Sequence, residues 1–303
     1  MKKLRKLYER IVRDRWEIGF VEGGLASVME QDSLCVHWLE HEYKDRWFAD
    51  PFILDVTECD ILLLVEEYRY EAPKGRIALL EVDKASYRLK YLEVVLELDT
   101  HISFPAIWRE RGNVYVYPES WLSGELSMYE YKCRKCETRS KKVLCKEPMA
   151  DAVMTEFFGK RQLFSVQEND KLRVYDFNEE TGFFELSFVK PFGKATARSA
   201  GDFFEYKGSV YRPAQVCMDC YGEAVEIQKV IWDQNENYCF LPQKTLYPSH
   251  PSLKTGLHTL NSHKDVAVVD VHGWNHDILL KSIVILKKTL LGSEWKRKKP
   301  SDY

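Results

Sequence analysis

Short apolar stretches in this chain enter, turn at a polar or glycine-bearing bend, and return rich in β-branched and aromatic residues. The pattern occurs in FADPFILDVTECDILLLVEEY from Phe48, SFPAIWRERGNVYVYPES from Ser103, ADAVMTEFFGKRQLFSVQ from Ala150 and SAGDFFEYKGSVYRPAQ from Ser199. Aligned on Pro51, Pro105, Ala152 and Gly201, the copies are spaced by 54, 47 and 49 residues. A weaker fifth copy, GLHTLNSHKDVAVVDVHGW, begins at Gly256 or Leu257. Strand-rich units recurring at about 50 residues mark propeller blades. One unit cannot bury both faces of its own sheet, so several stack around an axis. Five copies predict an all-β, five-bladed β-propeller whose first strands line a central funnel.

The pattern also sets boundaries. Residues 48–98, 99–148, 149–194, 195–250 and 251–290 form blades one to five. Blade one reads as strands at 52–56, 61–65, 77–82 and 94–98, and blade two as 103–109, a turn at 111–113, 114–117 and 125–131. Blade three reads as 153–157, 162–166, 172–177 and 184–188, and blade four as 203–206, 209–212 and 224–230. The last copy has fewer strands. Residues 16–47 carry apolar strands at 17–21 and 34–38, which are expected to complete blade five and close the ring without a covalent link.

Composition narrows the function classes. With 303 residues, 45% of them hydrophobic, the chain can bury a large core; a net charge of −3 argues against nucleic acid as a partner. No apolar run reaches membrane-span length. Residues 1–15 lack the apolar region of a signal peptide, which leads us to expect a cytoplasmic protein with its eight cysteines reduced. Residues 2–13 place Leu4, Leu7, Tyr8, Ile11 and Val12 on one helical face, with Lys2, Lys3, Lys6, Arg10 and Arg13 elsewhere. With the basic tail at 291–303 this short N-terminal helix suits either docking on the propeller or peripheral contact with an anionic membrane at its inner face.

Several motifs in order carry a resemblance: FADPF at 48–52, EEY at 66–68 with KGRI at 74–77, HISFP at 101–105, YPES at 117–120, RSAG at 198–201, YRPAQ with YGEAV at 211–225, and GLHTLN at 256–261. Together they resemble the propeller domain at the N-terminus of plant glucosamine inositolphosphorylceramide transferases, over about residues 16–275. The fold also resembles the five-bladed propellers of furanosidases, glycan phosphorylases and some mannosyltransferases. The resemblance implies work on sugars at the funnel mouth. No counterpart of the plant enzymes' separate transferase domain is expected in this sequence, so its activity is not carried over. The chain departs from related domains at Arg198-Ser199, often Arg-Pro, and at Asp151-Ala152, often Asp-Pro.

Candidate chemistry rests on carboxylates. Asp50 and Asp151 hold equivalent places on inner strands of blades one and three, and Glu67, Glu119 and Glu223 lie near the ends of second strands. Glycoside cleavage or transfer needs one group to protonate a leaving oxygen and another to activate a nucleophile or steady an oxocarbenium-like centre. Asp50, Asp151, Glu119 and Glu223 are the catalytic candidates. The structural alternative is that such groups cap turns or pair with arginines. Arg198 and Arg212 suit a carboxylate or phosphate, or a belt of ion pairs between blades. His101, Ser103, Gln215, His258 and Glu67 are candidate partners of sugar hydroxyls, and Trp121 and Tyr221 candidate stacking platforms. Cys133-x-x-Cys136 with Cys145 has zinc-like spacing but no evident fourth ligand; ordinary free thiols are the simpler reading, and no cofactor is expected.

The functional expectation is a carbohydrate-active propeller engaged in glycosyl transfer for a surface polysaccharide or glycolipid, with a sugar, sugar nucleotide or glycan as substrate. The alternatives are a glycoside hydrolase or phosphorylase, and a non-catalytic glycan-binding scaffold for a partner glycosyltransferase.

Overall fold

A computed structural model describes residues 13–233 and 238–274. The chain divides into two compact units, Trp16–His272 and a second comprising Met1–Arg15 with Gly273–Tyr303. The amphipathic helix expected at 2–13 falls, but for Arg13, outside the described residues, as does the basic tail at 291–303.

Five antiparallel sheets form a ring, a five-bladed β-propeller. The N-terminus supplies β1 (Asp14–Val21) and β2 (Val36–Trp38). Blade one is β3 (Arg46–Val56), β4 (Asp60–Arg69), β5 (Ala72–Asp83) and β6 (Leu89–Leu96). Blade two is β7 (Ser103–Glu110), β8 (Asn113–Glu119) and β9 (Leu126–Lys132), with short β10 (Lys135–Cys136) and β11 (Lys142–Cys145) both pairing to β9. Blade three is β12 (Ala150–Thr155), β13 (Gln162–Glu168), β14 (Lys171–Asn178) and β15 (Phe183–Pro191). Blade four is β16 (Phe204–Tyr206), β17 (Ser209–Val216), β18 (Ala224–Trp232) and β19 (Tyr238–Leu246). Blade five takes β20 (Gly256–His263) and β21 (Val266–Trp274) as its inner pair and β1 and β2 as its outer pair, in the order β2-β1-β21-β20.

Four elements depart from the sequence pattern. The turns of β10 and β11 finish blade two where no fourth strand was expected. Strand β19 completes blade four; Pro242 interrupts its pattern, and an edge strand tolerates a residue with no N–H to donate. One helix, α1 (Gly24–Glu30), interrupts the closing segment. It is only seven residues long, too short for its Leu25, Val28 and Met29 stripe to stand out, and it packs that stripe on the core shared by blades four and five.

The apolar layers lie between neighbouring blades, which is why inner and middle strands read as nearly unbroken apolar runs. Phe52 of blade one meets Phe104 of blade two edge to face, ring centroids 4.9 Å apart. Ile18 and Phe20 of β1 share a core with Phe48, Leu63 and Val268. Each such side chain contributes about 1.5–3 kcal/mol by leaving water. Polar contacts bolt the same seams. Asn261 Nδ2 donates to Pro51 O at 3.0 Å, the Leu260 N–H to Ala200 O at 2.8 Å, and the Met154 N–H to the Tyr117 hydroxyl at 3.0 Å. Gly201 permits the approach of blades four and five: at φ 152° it leaves room where a Cβ would lie 2.1 Å from Leu260 O.

Candidate active site

Inner strands carry a β-bulge at matching places. Pairing to the second strand shifts between Ala49 and Phe52, Ser103 and Ala106, Ala150 and Val153, and Leu257 and Leu260. Three bulges hold a non-glycine residue in the left-handed region: Asp50 (φ 52°), Phe104 (φ 46°) and Asp151 (φ 43°). Aspartate tolerates this conformation better than most residues, and a bulge re-aims the side chain it carries. Two repeats therefore deliver a carboxylate, while the third places Phe104, one residue beyond the expected Ser103, in the core.

Asp50 belongs to a buried Asp–His–Asp array. His258 Nδ1 lies 2.8 Å from Asp270 Oδ1, and His258 Nε2 lies 3.1 Å from Asp50 Oδ1. Asp270 also accepts the N–H groups of Thr259 (2.8 Å), His258 (3.3 Å) and Asp50 (2.9 Å). Asp50 Oδ2 accepts the Phe104 N–H at 2.9 Å, so one carboxylate bridges blade five to blade two. Burial opposes charge on His258 most strongly, yet Asp270 and Asp50 outweigh it and lift the imidazole well above its ordinary range. Burial also acts most on Asp270, but His258 and the converging N–H donors hold its carboxyl low. Asp50 is raised, by burial first, with Asp270 and Asp151 adding to it against His258. Gly222 lets the β17–β18 turn lie on this array, since a Cβ there would sit 2.5 Å from His258 Cβ.

A second array faces it. Asp151 Oδ2 accepts from Arg198 Nε and, at 2.6 Å, from Gln215 Nε2. Glu119 Oε2 accepts the Asp151 N–H at 2.9 Å and lies 3.5 Å from Arg198 Nη2. The Arg198 guanidinium stacks 4.9 Å from the Tyr221 ring centroid, and Tyr221 meets the His258 ring at 5.5 Å, joining the arrays. Burial first, then the charge of Asp151, pushes Glu119 up to about 8, against Arg198. At neutral pH Glu119 is mainly protonated.

Other sequence candidates lie around or away from this centre. Ser103 pairs with Glu119 across β7 and β8. His101 is half exposed, accepts the Gly75 N–H at Nδ1 (2.9 Å) and sets Nε2 3.4 Å from Glu66 Oε1. Trp121 is 41% exposed in the turn after β8. Glu67 is fully buried between Arg46 and Arg76, a structural ion-pair cluster. Arg212 is also fully buried and donates to Ala197 O, Thr196 O (3.4 Å) and Gln228 Oε1 (2.9 Å), holding blade four together. Glu223 accepts the Asp219 N–H of its own turn at 3.2 Å.

The sequence reading missed Glu66 and Asp270. Glu66 and Glu67 point to opposite faces of β4, and the structure turns Glu66 inward, where burial and then Asp50 hold its carboxyl well above the ordinary range. Asp270 had a signal: it is the lone acid in the apolar run Val-Ala-Val-Val-Asp-Val, and a charge buried there requires partners.

As to metals, Asp50, His258 and Asp270 bring three potential ligand atoms within 4.8 Å of one another, but both His258 ring nitrogens already face carboxylates. Among the described residues, no group of three potential ligands includes Cys133, Cys136 or Cys145; Cys133 is exposed and the other two are buried.

Glu119 gives the site a pH signature. Its folded-state pKa of about 8 lies above the ordinary glutamate value of 4.5, so the native protein binds more protons than the unfolded chain between those values. Stability therefore falls as pH rises through that window. His258, raised above 6.5, acts in the same direction: its contribution is complete below 6.5 and is lost as pH climbs through its folded value. We expect the melting temperature to decline from about pH 5 to pH 8, and Glu119→Gln to flatten the decline. Scanning calorimetry at several pH values checks this; equal slopes for both proteins contradict it.

The family model described as "Glucosamine inositolphosphorylceramide transferase 1, N-terminal" matches residues 28–244, a span that contains Asp50, Glu119, Asp151 and Arg198 and stops before His258 and Asp270. The chain is 25% identical to glucosamine inositolphosphorylceramide transferase 1 of Oryza sativa subsp. japonica over 219 residues, covering 69% of this chain and 29% of the rice protein. The Arabidopsis thaliana protein of the same name is 26% identical over 230 residues, covering 72% of this chain and 30% of its own length. The chain thus spans under a third of these relatives. Among solved structures, a GH43 β-xylosidase/α-arabinofuranosidase from a compost microbial metagenome superposes with a TM-score of 0.50 at 12% identity, covering 75% of this chain and 85% of that one. A GH43_1 enzyme from Xanthomonas citri gives 0.50 at 12%, covering 76% and 88%. At such identity the likeness is one of fold.

Proposed function

This chain belongs to the family of the N-terminal domain of glucosamine inositolphosphorylceramide transferase 1, and from that premise we propose that it is a carbohydrate-active propeller catalysing glycosyl transfer in the making of a surface polysaccharide or glycolipid. The observation that carries this reading is the pairing of two unlike carboxyl arrays at one centre. Asp50 sits beside an imidazolium that steadies negative charge, and Glu119 keeps its proton at neutral pH. The imidazolium at Asp50 and the burial of Glu119 set the two carboxyl groups in unlike environments, which suits a base and an acid. Asp50 takes the proton of an acceptor hydroxyl, Glu119 protonates the departing oxygen, and Arg198, oriented by Asp151, holds the anionic part of the donor. His101 and Trp121 form the rim that meets the sugar. The proposal places the protein in the cytoplasm, working on a sugar nucleotide or a lipid-linked glycan.

A second reading has its own support. Asp50, Glu119 and Asp151 each already accept a seam or ion-pair hydrogen bond, an arrangement that suits a glycan-binding scaffold for a partner transferase. Incubation with a panel of sugar nucleotides and oligosaccharides, read by thermal shift and by mass spectrometry of products, separates the readings. New product masses support transfer, free sugars support hydrolysis, and a thermal shift without product supports the scaffold. No shift and no product with any member of the panel overturns the carbohydrate reading.

A further inference from the structure

A second group of metal-ligating side chains lies outside the funnel, on the hairpin that closes the ring. Glu22, Cys35 and His37 bring a carboxylate oxygen, a thiol sulfur and an imidazole nitrogen within 4.8 Å of one another. Strand register explains why. Phe20 pairs with His37 across β1 and β2, and the Glu22 N–H donates to Cys35 O at 2.9 Å. Cys35 immediately precedes β2 and His37 lies in it, two residues apart in extended chain, so both present side chains to the same face, and Glu22, just past the end of β1, answers them from across the pair. His37 Nε2 stands 3.5 Å from Glu22 Oε2, and the Cys35 sulfur lies within 4.8 Å of both ligand atoms. Tyr87 stacks on the His37 ring at 4.7 Å and 12°, which fixes the ring plane. The three side chains are open to solvent, so an ion has an entry path.

We propose that Glu22, Cys35 and His37 form a zinc site that pins the ring-closing hairpin, with water as the fourth ligand. Thiolate, imidazole and carboxylate together are a donor set suited to zinc rather than to calcium or magnesium, which take oxygen ligands. Bonds of about 2.0–2.3 Å in a tetrahedral ion separate ligand atoms by roughly 3.3–3.8 Å, which the observed 3.5 Å matches. A cross-strand Glu–His ion pair would account for two of the residues but not for the thiol converging on them. As the Zn–S bond forms, the Cys35 proton leaves to solvent; thiolate and carboxylate then balance the charge of the ion.

The test uses the full chain, stripped by chelator and titrated with Co2+ and then Zn2+. One equivalent of Co2+ should give the intense visible bands of a four-coordinate ion together with a thiolate-to-cobalt charge-transfer band, and Zn2+ should bleach both and raise the melting temperature. In Cys35→Ser the charge-transfer band and the zinc-induced shift should vanish. In His37→Ala and Glu22→Gln affinity should fall by more than the roughly tenfold to hundredfold that loss of an outer-shell partner costs. Metal-free circular dichroism should match the parent in all three, since these side chains lie at the surface. A charge-transfer band that persists in Cys35→Ser assigns the metal to another of the cysteines and overturns the proposal, as does the absence of any cobalt spectrum in the parent protein.

Discussion

Replacing Asp50 by Asn should lower glycosyl turnover by roughly a hundredfold or more while leaving the propeller folded. Asparagine tolerates the left-handed backbone at this bulge, and its side-chain oxygen still accepts the Phe104 N–H. His258 keeps Asp270 as its partner. What the substitution removes is the ability to take a proton. It also removes one of two negative charges beside His258, so the imidazolium pKa should fall, an effect that NMR of the ring nitrogens reads without any substrate. Melting temperature and product formation measured on one preparation decide the matter: a variant that turns over normally leaves Asp50 a seam anchor and nothing more.

Asp270→Ala should have the largest effect on stability. The substitution strands a buried imidazolium with a single partner and leaves three backbone N–H groups without their acceptor. Breaking a buried pair from one side costs about 3–5 kcal/mol. For a chain of this size that lowers the melting temperature by about 5–8 °C. Asp270→Asn keeps an oxygen for the N–H groups and should lose less. Denaturant unfolding of the three proteins tests the order; a loss below about 1 kcal/mol for alanine would show that His258 sheds its proton instead of remaining charged.

Much of this arrangement was legible in the sequence because the repeat and the chemistry share one cause. The alignment on Pro51, Pro105 and Ala152 marks a residue inside each bulge, and the residue before it is the one in the left-handed conformation. Asp50 and Asp151 were therefore visible. The second strands were harder to read. A period of two makes Glu66 and Glu67 equivalent to the eye, and only the pairing of Ala49 with Glu66 decides which carboxylate faces Asp50. Arg212 misled for a related reason: a guanidinium suggests an anion, but its terminal nitrogens donate to the carbonyl oxygens of Thr196, Ala197 and the Gln228 side chain, some fifteen residues away on either side. Such contacts leave no local pattern.

Ring closure also has a consequence in time. Strand β1 pairs with β21, so blade five joins segments about 250 residues apart in the chain. Contacts of that range form late, because their loop-closure entropy must be overcome before they stabilise anything. On the ribosome, β1 and β2 emerge before the four blades and wait through their synthesis for β21 to join. During that interval Ile18 and Phe20 are uncovered and the edge of β1 is open to any other strand. Ring closure thus waits on the capture of β1 by β21, and chains halted before Val266 should aggregate through β1.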